Sequence, residues 1–214
     1  MNLRYAFLIV FIVFKGFLGI SQSVFDNVDT VNYPYHLWND VVISTCNTAS
    51  KVDYMTIEEK NIIWLHNLAR FDGALFARTF LSEYIKKNSV KYTPYVKSLY
   101  NDLKKKAYKL PLLKPSKHIY TLAKDYAVWS GKKGKVGHYK FSYRAKKSGH
   151  SRFSENASYG YFIAMDIFFD LLIDEGVKSL GHRNNILDLH AKVIGVSIQP
   201  HKIYNYNCVI DYGG

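Results

Sequence analysis

Three short segments of this chain carry side chains that could act together: Gly137-His138-Tyr139, Ser154-Glu155-Asn156-Ala157-Ser158-Tyr159-Gly160 and Gly181-His182-Arg183-Asn184-Asn185-Ile186-Leu187. Two imidazoles and a carboxylate are the minimum set for a divalent metal site, or for general acid/base work near neutral pH. Gly181 lets the backbone approach whatever the His182 ring faces. Glu155 enters an apolar, glycine-containing segment, where a carboxylate must face solvent or find a partner. Taken singly, each histidine reads as a surface loop residue; their combination in this order points to a site. No Gly-x-Ser-x-Gly elbow, His-Glu-x-x-His helix or reactive Cys–His arrangement accompanies them.

The elements that must position these residues are mostly helical, then finish in strands. Residues 22–54 show no sustained period and read as an irregular leader. Thr56-Ile57-Glu58-Glu59 is a capping box that opens a helix with Ile62, Ile63, Leu65, Leu68 and Ala69 on one stripe. Phe71-Asp72-Gly73 breaks it, and a second helix runs over about 74–87. Thr93-Pro94 starts a third, with Pro at the first helical position. Lys114-Pro115-Ser116 opens a fourth, from Lys117 to about Ser130. Gly131-Lys132-Lys133-Gly134-Lys135 reads as a glycine-bracketed loop that delivers the chain to His138. Residues 142–149 form a short helical turn, and Ile163 to about Asp174 an apolar helix stopped by Gly176. The runs 192–198 and 206–212 are β-rich and read as an antiparallel pair joined through Pro200.

Composition bounds the class. A chain of 214 residues with 48% apolar content has material for one domain with a substantial core. The net charge of +12 favours anionic partners such as membrane surfaces or acidic polymers. No nucleic-acid motif accompanies the lysine runs, so specific nucleic-acid binding is not expected. Residues 1–21 read as a signal peptide: Arg4, a nine-residue apolar run from Ala6 to Phe14 that is too short to span a bilayer, and small residues before Gln22. The competing reading is an uncleaved anchor over 5–20. Export permits one disulfide between Cys46 and Cys208, which over so long a loop contributes about 4–5 kcal/mol. The alternative is two buried thiols.

The three segments resemble, in wording and order, the CAP superfamily (cysteine-rich secretory proteins, antigen five and pathogenesis-related-one proteins), in its microbial branch. The resemblance is clearest over 117–214 and extends to the helix at 56–71. The histidine of the family's GHR motif is His182. The glutamate of its GEN motif is Glu155, with Ser154 in place of the glycine. The histidine of the earlier SH or GH segment is His138; His150 is its rival, but His138 has the preceding glycine. The resemblance implies a CAP domain over 55–214, with a helical insertion at about 73–113. The fold it implies is a three-layer α-β-α sandwich around a central antiparallel sheet. It implies a cleft lined by His138, Glu155, His182 and a second acid from the helix end before the GHR segment, Asp174 or Glu175, with Glu175 favoured. His138 and His182 would then be the ligands of zinc or another divalent metal.

The function these implications favour is a secreted binding or interaction protein whose cleft can hold a divalent metal. A metal-assisted extracellular hydrolase is one alternative. A basic surface that takes lipid, sterol or an anionic polymer is another. The fold alone delivers no activity.

Overall fold

A computed structural model describes residues 35–214. The signal segment 1–21 and the leader residues 22–34 lie outside the described residues. Within the part of the leader that is described, α1 (Asp40–Cys46) forms where the sequence shows no period; the Asn39 side chain caps it by accepting from Val41 N. Both bonds of the predicted capping box are present at the start of α2 (Ile57–Phe71): Thr56 Oγ1 accepts from Glu59 N (3.3 Å), and Glu59 Oε2 accepts from Thr56 N (2.8 Å). The other oxygen of Glu59 accepts from Ile198 N (2.8 Å), so the cap also ties the helix to the sheet.

Helix α2 is buried nearly all round, and its polar residues are paired accordingly. Arg70 is fully buried and donates to the carbonyls of Pro111, Ile186, Asp188 and Ala191. Asn67 donates to the Cys46 carbonyl and both accepts from and donates to Leu113. Three loops are thereby held to one helix by two side chains.

Next come α3 (Gly73–Phe76) and α4 (Ser82–Lys87), joined through a π-helical turn at Ala77–Leu81. Helix α5 (Pro94–Lys106) has Thr93 as its cap and Pro94 in its first turn. Strand β1 (Lys114–Pro115) leads to Ser116, which caps α6 (Lys117–Lys133). This helix runs past the predicted end at Ser130. Gly131 sits against the Pro200 carbonyl, where a Cβ has no room, and Gly134 takes the left-handed φ of 62° that ends the helix. Then follow α7 (Phe141–Ser148), β2 (Phe153–Tyr159), α8 (Ala164–Ile173), α9 (Gly181–Ile186), β3 (Val193–His201) and β4 (Asn205–Gly213).

The strands form one sheet in the order β1-β3-β4-β2. β1 joins β3 in parallel over two residues; β3–β4 and β4–β2 are antiparallel. Pro200 lies inside β3 opposite Tyr206 rather than in the connection. It is tolerated because β1 covers only the start of β3 and the outer edge there is open. Helix α6 packs on one face of the sheet, with α2 and α8 on the other, which gives the expected α-β-α sandwich. The two faces differ. The main apolar core lies on the α2 side, while a smaller cluster under α6 comprises Ala123, Tyr126, Ala127 and Val209.

Candidate functional site

Glu155 and Asn156 are adjacent on β2, so their side chains leave the strand on opposite sides. That alternation separates the predicted site residues into two groups.

On the α6 side the chain leaves Gly134 and is held at Gly137 by two phenols. Tyr126 Oη donates to Gly137 O and accepts from Tyr139 N, and Tyr159 Oη accepts from Gly137 N (2.9 Å). This fixes His138, whose Nδ1–H donates to Glu155 Oε1 (2.7 Å). The His138 side chain is 45% exposed, while that of Glu155 is fully buried. The second oxygen of Glu155 accepts from Arg144 Nε and Nη2 (2.8 and 2.5 Å), and the guanidinium lies over the Tyr126 ring at 3.8 Å. Asp211 is the cross-strand partner of Glu155 and is fully buried; among the described residues neither of its oxygens has a hydrogen-bond partner. Burial first, and the neighbouring Glu155 second, raise its carboxyl well above the usual range, so it keeps its proton.

On the α8 side the acid beside His182 is Asp174. Its Oδ1 accepts from His182 Nδ1 (2.8 Å), and its Oδ2 from the amides of His182 (2.9 Å) and Arg183 (3.2 Å). Asp174 ends α8 in the left-handed conformation, φ 59°, which turns its carboxylate back onto the start of α9. The expected Glu175 points elsewhere: it is exposed and accepts from Thr93 Oγ1 (2.6 Å). The helix stops one residue before Asp174, and that reverses which of the two acids faces inward. Asp170 lies nearby and accepts from Ser158 Oγ (2.8 Å); burial is the main cause that raises its carboxyl.

Asn156 serves this second group. Its amide donates to His182 O (3.0 Å) and Tyr212 Oη (3.2 Å), and its carbonyl accepts from Asn185 (2.8 Å). Arg183 is fully buried, with its donors on Leu172 O, Ile173 O, Tyr95 O, Ser98 and Asp102, an architectural role. His150 does not join Glu155; its ring lies against Gly213. His201 is buried, donating from Nε2 to Lys135 O and accepting at Nδ1 from the amides of Ile203 and Tyr204. Cys46 and Cys208 are both buried and stand in the structure as free thiols, the alternative to the disulfide.

Arg144 and Asp211 were not singled out by the sequence. A lone acid inside the apolar run Val209-Ile210-Asp211-Tyr212 was the available signal. Arg144 carries none, since a basic helical turn reads as solvated.

The two imidazoles each have Nδ1 fixed by a buried carboxylate, the outer-shell arrangement that orients metal-bound histidines and directs Nε2 outward. Among the described residues no three His, Cys, Asp or Glu side chains gather at a distance that would hold a metal.

The profile of the CAP family, described as the cysteine-rich secretory protein family, matches residues 63–212. No curated protein sequence matches the chain. Among solved structures, the chain is similar to an outer surface protein from Borrelia burgdorferi, at 18% identity and a TM-score of 0.42, over 58% of this chain and 95% of that one. It is also similar to the venom allergen-like protein 4 of Schistosoma mansoni, at 14% identity and a TM-score of 0.46, over 74% of this chain and 89% of that one.

Proposed function

The chain belongs to the CAP family, and from that premise we propose that it is a secreted binding protein whose ligand surface adjoins His138. The observation that carries this reading is the groove between α6 and α7, about 220 Å³, lined by Trp129, Tyr139, Lys140, Tyr143, Arg144 and Lys147. Trp129 stacks on Tyr139 (centroids 4.8 Å apart), and Tyr139 and Tyr143 stay more than half exposed. Exposed, stacked aromatic faces beside cations suit ligand binding.

A divalent ion is the second reading, favoured by the carboxylate-fixed Nδ1 of both histidines. His138 or His182 would hold it through Nε2, each ring oriented by its own carboxylate, Glu155 or Asp174. Such an ion would supply Lewis acidity. The chain's own contribution is to hold both Nδ1 atoms and so orient the two rings.

The test is zinc calorimetry on wild type and on the His138→Ala/His182→Ala double variant, with hydrolysis of extracellular polymers followed in parallel. Saturable zinc binding lost in the double variant, with no turnover in either protein, is the expected result. Turnover that disappears in the double variant would replace the binding reading with a metal-assisted hydrolase. No zinc binding in the wild type would remove the ion.

A further inference from the structure

Away from the histidine pairs, one end of the sheet collects exposed apolar side chains. The β3–β4 turn carries Ile203, Tyr204 and Tyr206, which are 66, 45 and 37% exposed. The β2–α8 loop beside it carries Tyr161, Phe162 and Ile163, each at least 44% exposed. Single exposed apolar residues are ordinary, but six on two adjoining loops are not. The loops are tied together: Gly160 N donates to Tyr206 O (2.9 Å), and the Phe162 and Tyr206 rings lie 5.0 Å apart. His201, accepting two turn amides, holds the tip in shape.

The end of α6 forms the third side. Lys202 N donates to Gly131 O (3.0 Å), and Gly134 lies against Ile203. This brings the exposed lysines 132, 133 and 135 beside Lys202. Of the acids beside the β2–α8 loop, Glu58 is turned to the Ala164 amide (2.6 Å) and Asp166 accepts from Tyr84 Oη (3.2 Å). The patch is thus apolar at its centre and cationic at its flank.

We propose that this end of the molecule is a docking face for an anionic lipid bilayer. Ile203, the most exposed of the six, lets the β3–β4 turn enter the headgroup layer. Tyr side chains suit that layer because the ring is apolar and the hydroxyl wet. With Ile203 and Phe162 below the headgroups, the four lysines reach the lipid phosphates. The face is separate from His138 and His182, so the proposal stands or falls apart from the ligand reading above.

The apolar run at 6–14 can tether the full chain by itself, so the readout must be local. An environment-sensitive label is placed on Ile203→Cys, and separately on Leu189→Cys, an exposed apolar residue at the opposite end of the sheet. Both native thiols are buried and escape the label. With phosphatidylcholine/phosphatidylserine vesicles, the expected result is a blue shift at 203 and none at 189, weakened by salt and absent on pure phosphatidylcholine. Lys133→Gln/Lys202→Gln should weaken vesicle binding about fivefold per lysine. Phe162→Ser should weaken it about tenfold. His138→Ala/His182→Ala should leave it unchanged. No shift at 203, or equal shifts at both positions, overturns the proposal. So does a shift at 203 that grows with protein concentration without vesicles, which would make the face a contact between copies of the chain.

Discussion

The two histidine–carboxylate pairs look alike and are built on different physics. Glu155 is neutralised by a side chain, the Arg144 guanidinium, and stands next to a second buried acid, Asp211. Asp174 is neutralised by backbone: two amides at the start of α9 converge on its Oδ2. The first pair depends on one cation in a crowded buried cluster, so a single substitution strands the Glu155 carboxylate. The second is written into the path of the chain, and its failure is local. His138 is also the more exposed ring, 45% against 26% for His182. The pair nearer solvent is therefore the one with the more fragile foundation.

The difference can be broken most sharply at Arg144. Arg144→Ala leaves Glu155 buried without its cation and should cost about 3–5 kcal/mol in denaturant unfolding. A loss under about 1 kcal/mol would mean that Glu155 finds another partner and that the contrast is unreal. Asp174→Ala should cost less, about 1–3 kcal/mol, and its mark should be faster amide exchange confined to α9 rather than a general loss.

Acidity separates the pairs a third way: the second acid of the Glu155 group, Asp211, has no hydrogen-bond partner among the described residues, whereas Asp170, near Asp174, accepts from Ser158. The unfolded chain releases the Asp211 proton above about 3.8, and the folded chain keeps it. Stability therefore falls as pH rises from there. His66 opposes this. Its buried imidazole, donating to Ile62 O and accepting from Tyr212, is pushed from 6.5 down to about 3, chiefly by burial. Stability is accordingly lost as pH falls from 6.5 toward 3. The two slopes therefore oppose each other above 3.8. Asp211→Asn removes the Asp211 slope, so its stability should fall less with rising pH than that of the wild type, by up to about 1.4 kcal/mol per pH unit. Parallel curves for both proteins would show that Asp211 is ionised in the fold. The smallest effects are expected at the exposed partners: His138→Ala within about 1 kcal/mol, and Glu175→Ala within about 0.5 kcal/mol.

Local signals were legible where a short-range rule suffices. The caps at Thr56 and Thr93 and the two long C-terminal strands need only neighbouring residues to be read. The β2 strand did not show because it is an edge strand whose inward positions on both sides carry polar groups, Glu155, Asn156 and Ser158. Its hydrophobic alternation is erased by the site it carries. The choice between Asp174 and Glu175 was lost by one residue of helix length, since the left-handed turn falls on an aspartate and the glycine two residues later masks it. Motif resemblance placed His138, Glu155 and His182, but it could not reveal Arg144 or Asp211, whose roles exist only once α7 and β4 converge on β2.

The buried, unpaired thiols have a practical consequence. Burial pushes the Cys46 thiol up to about 12, and that of Cys208 is raised as well, so neither forms the thiolate that oxidants attack. Cohesion between distant parts of the chain rests instead on Arg70 and Arg183, which gather carbonyls from separate loops. The domain should consequently mature without an oxidase, be recoverable from a reducing cytosol, and melt at the same temperature with or without dithiothreitol.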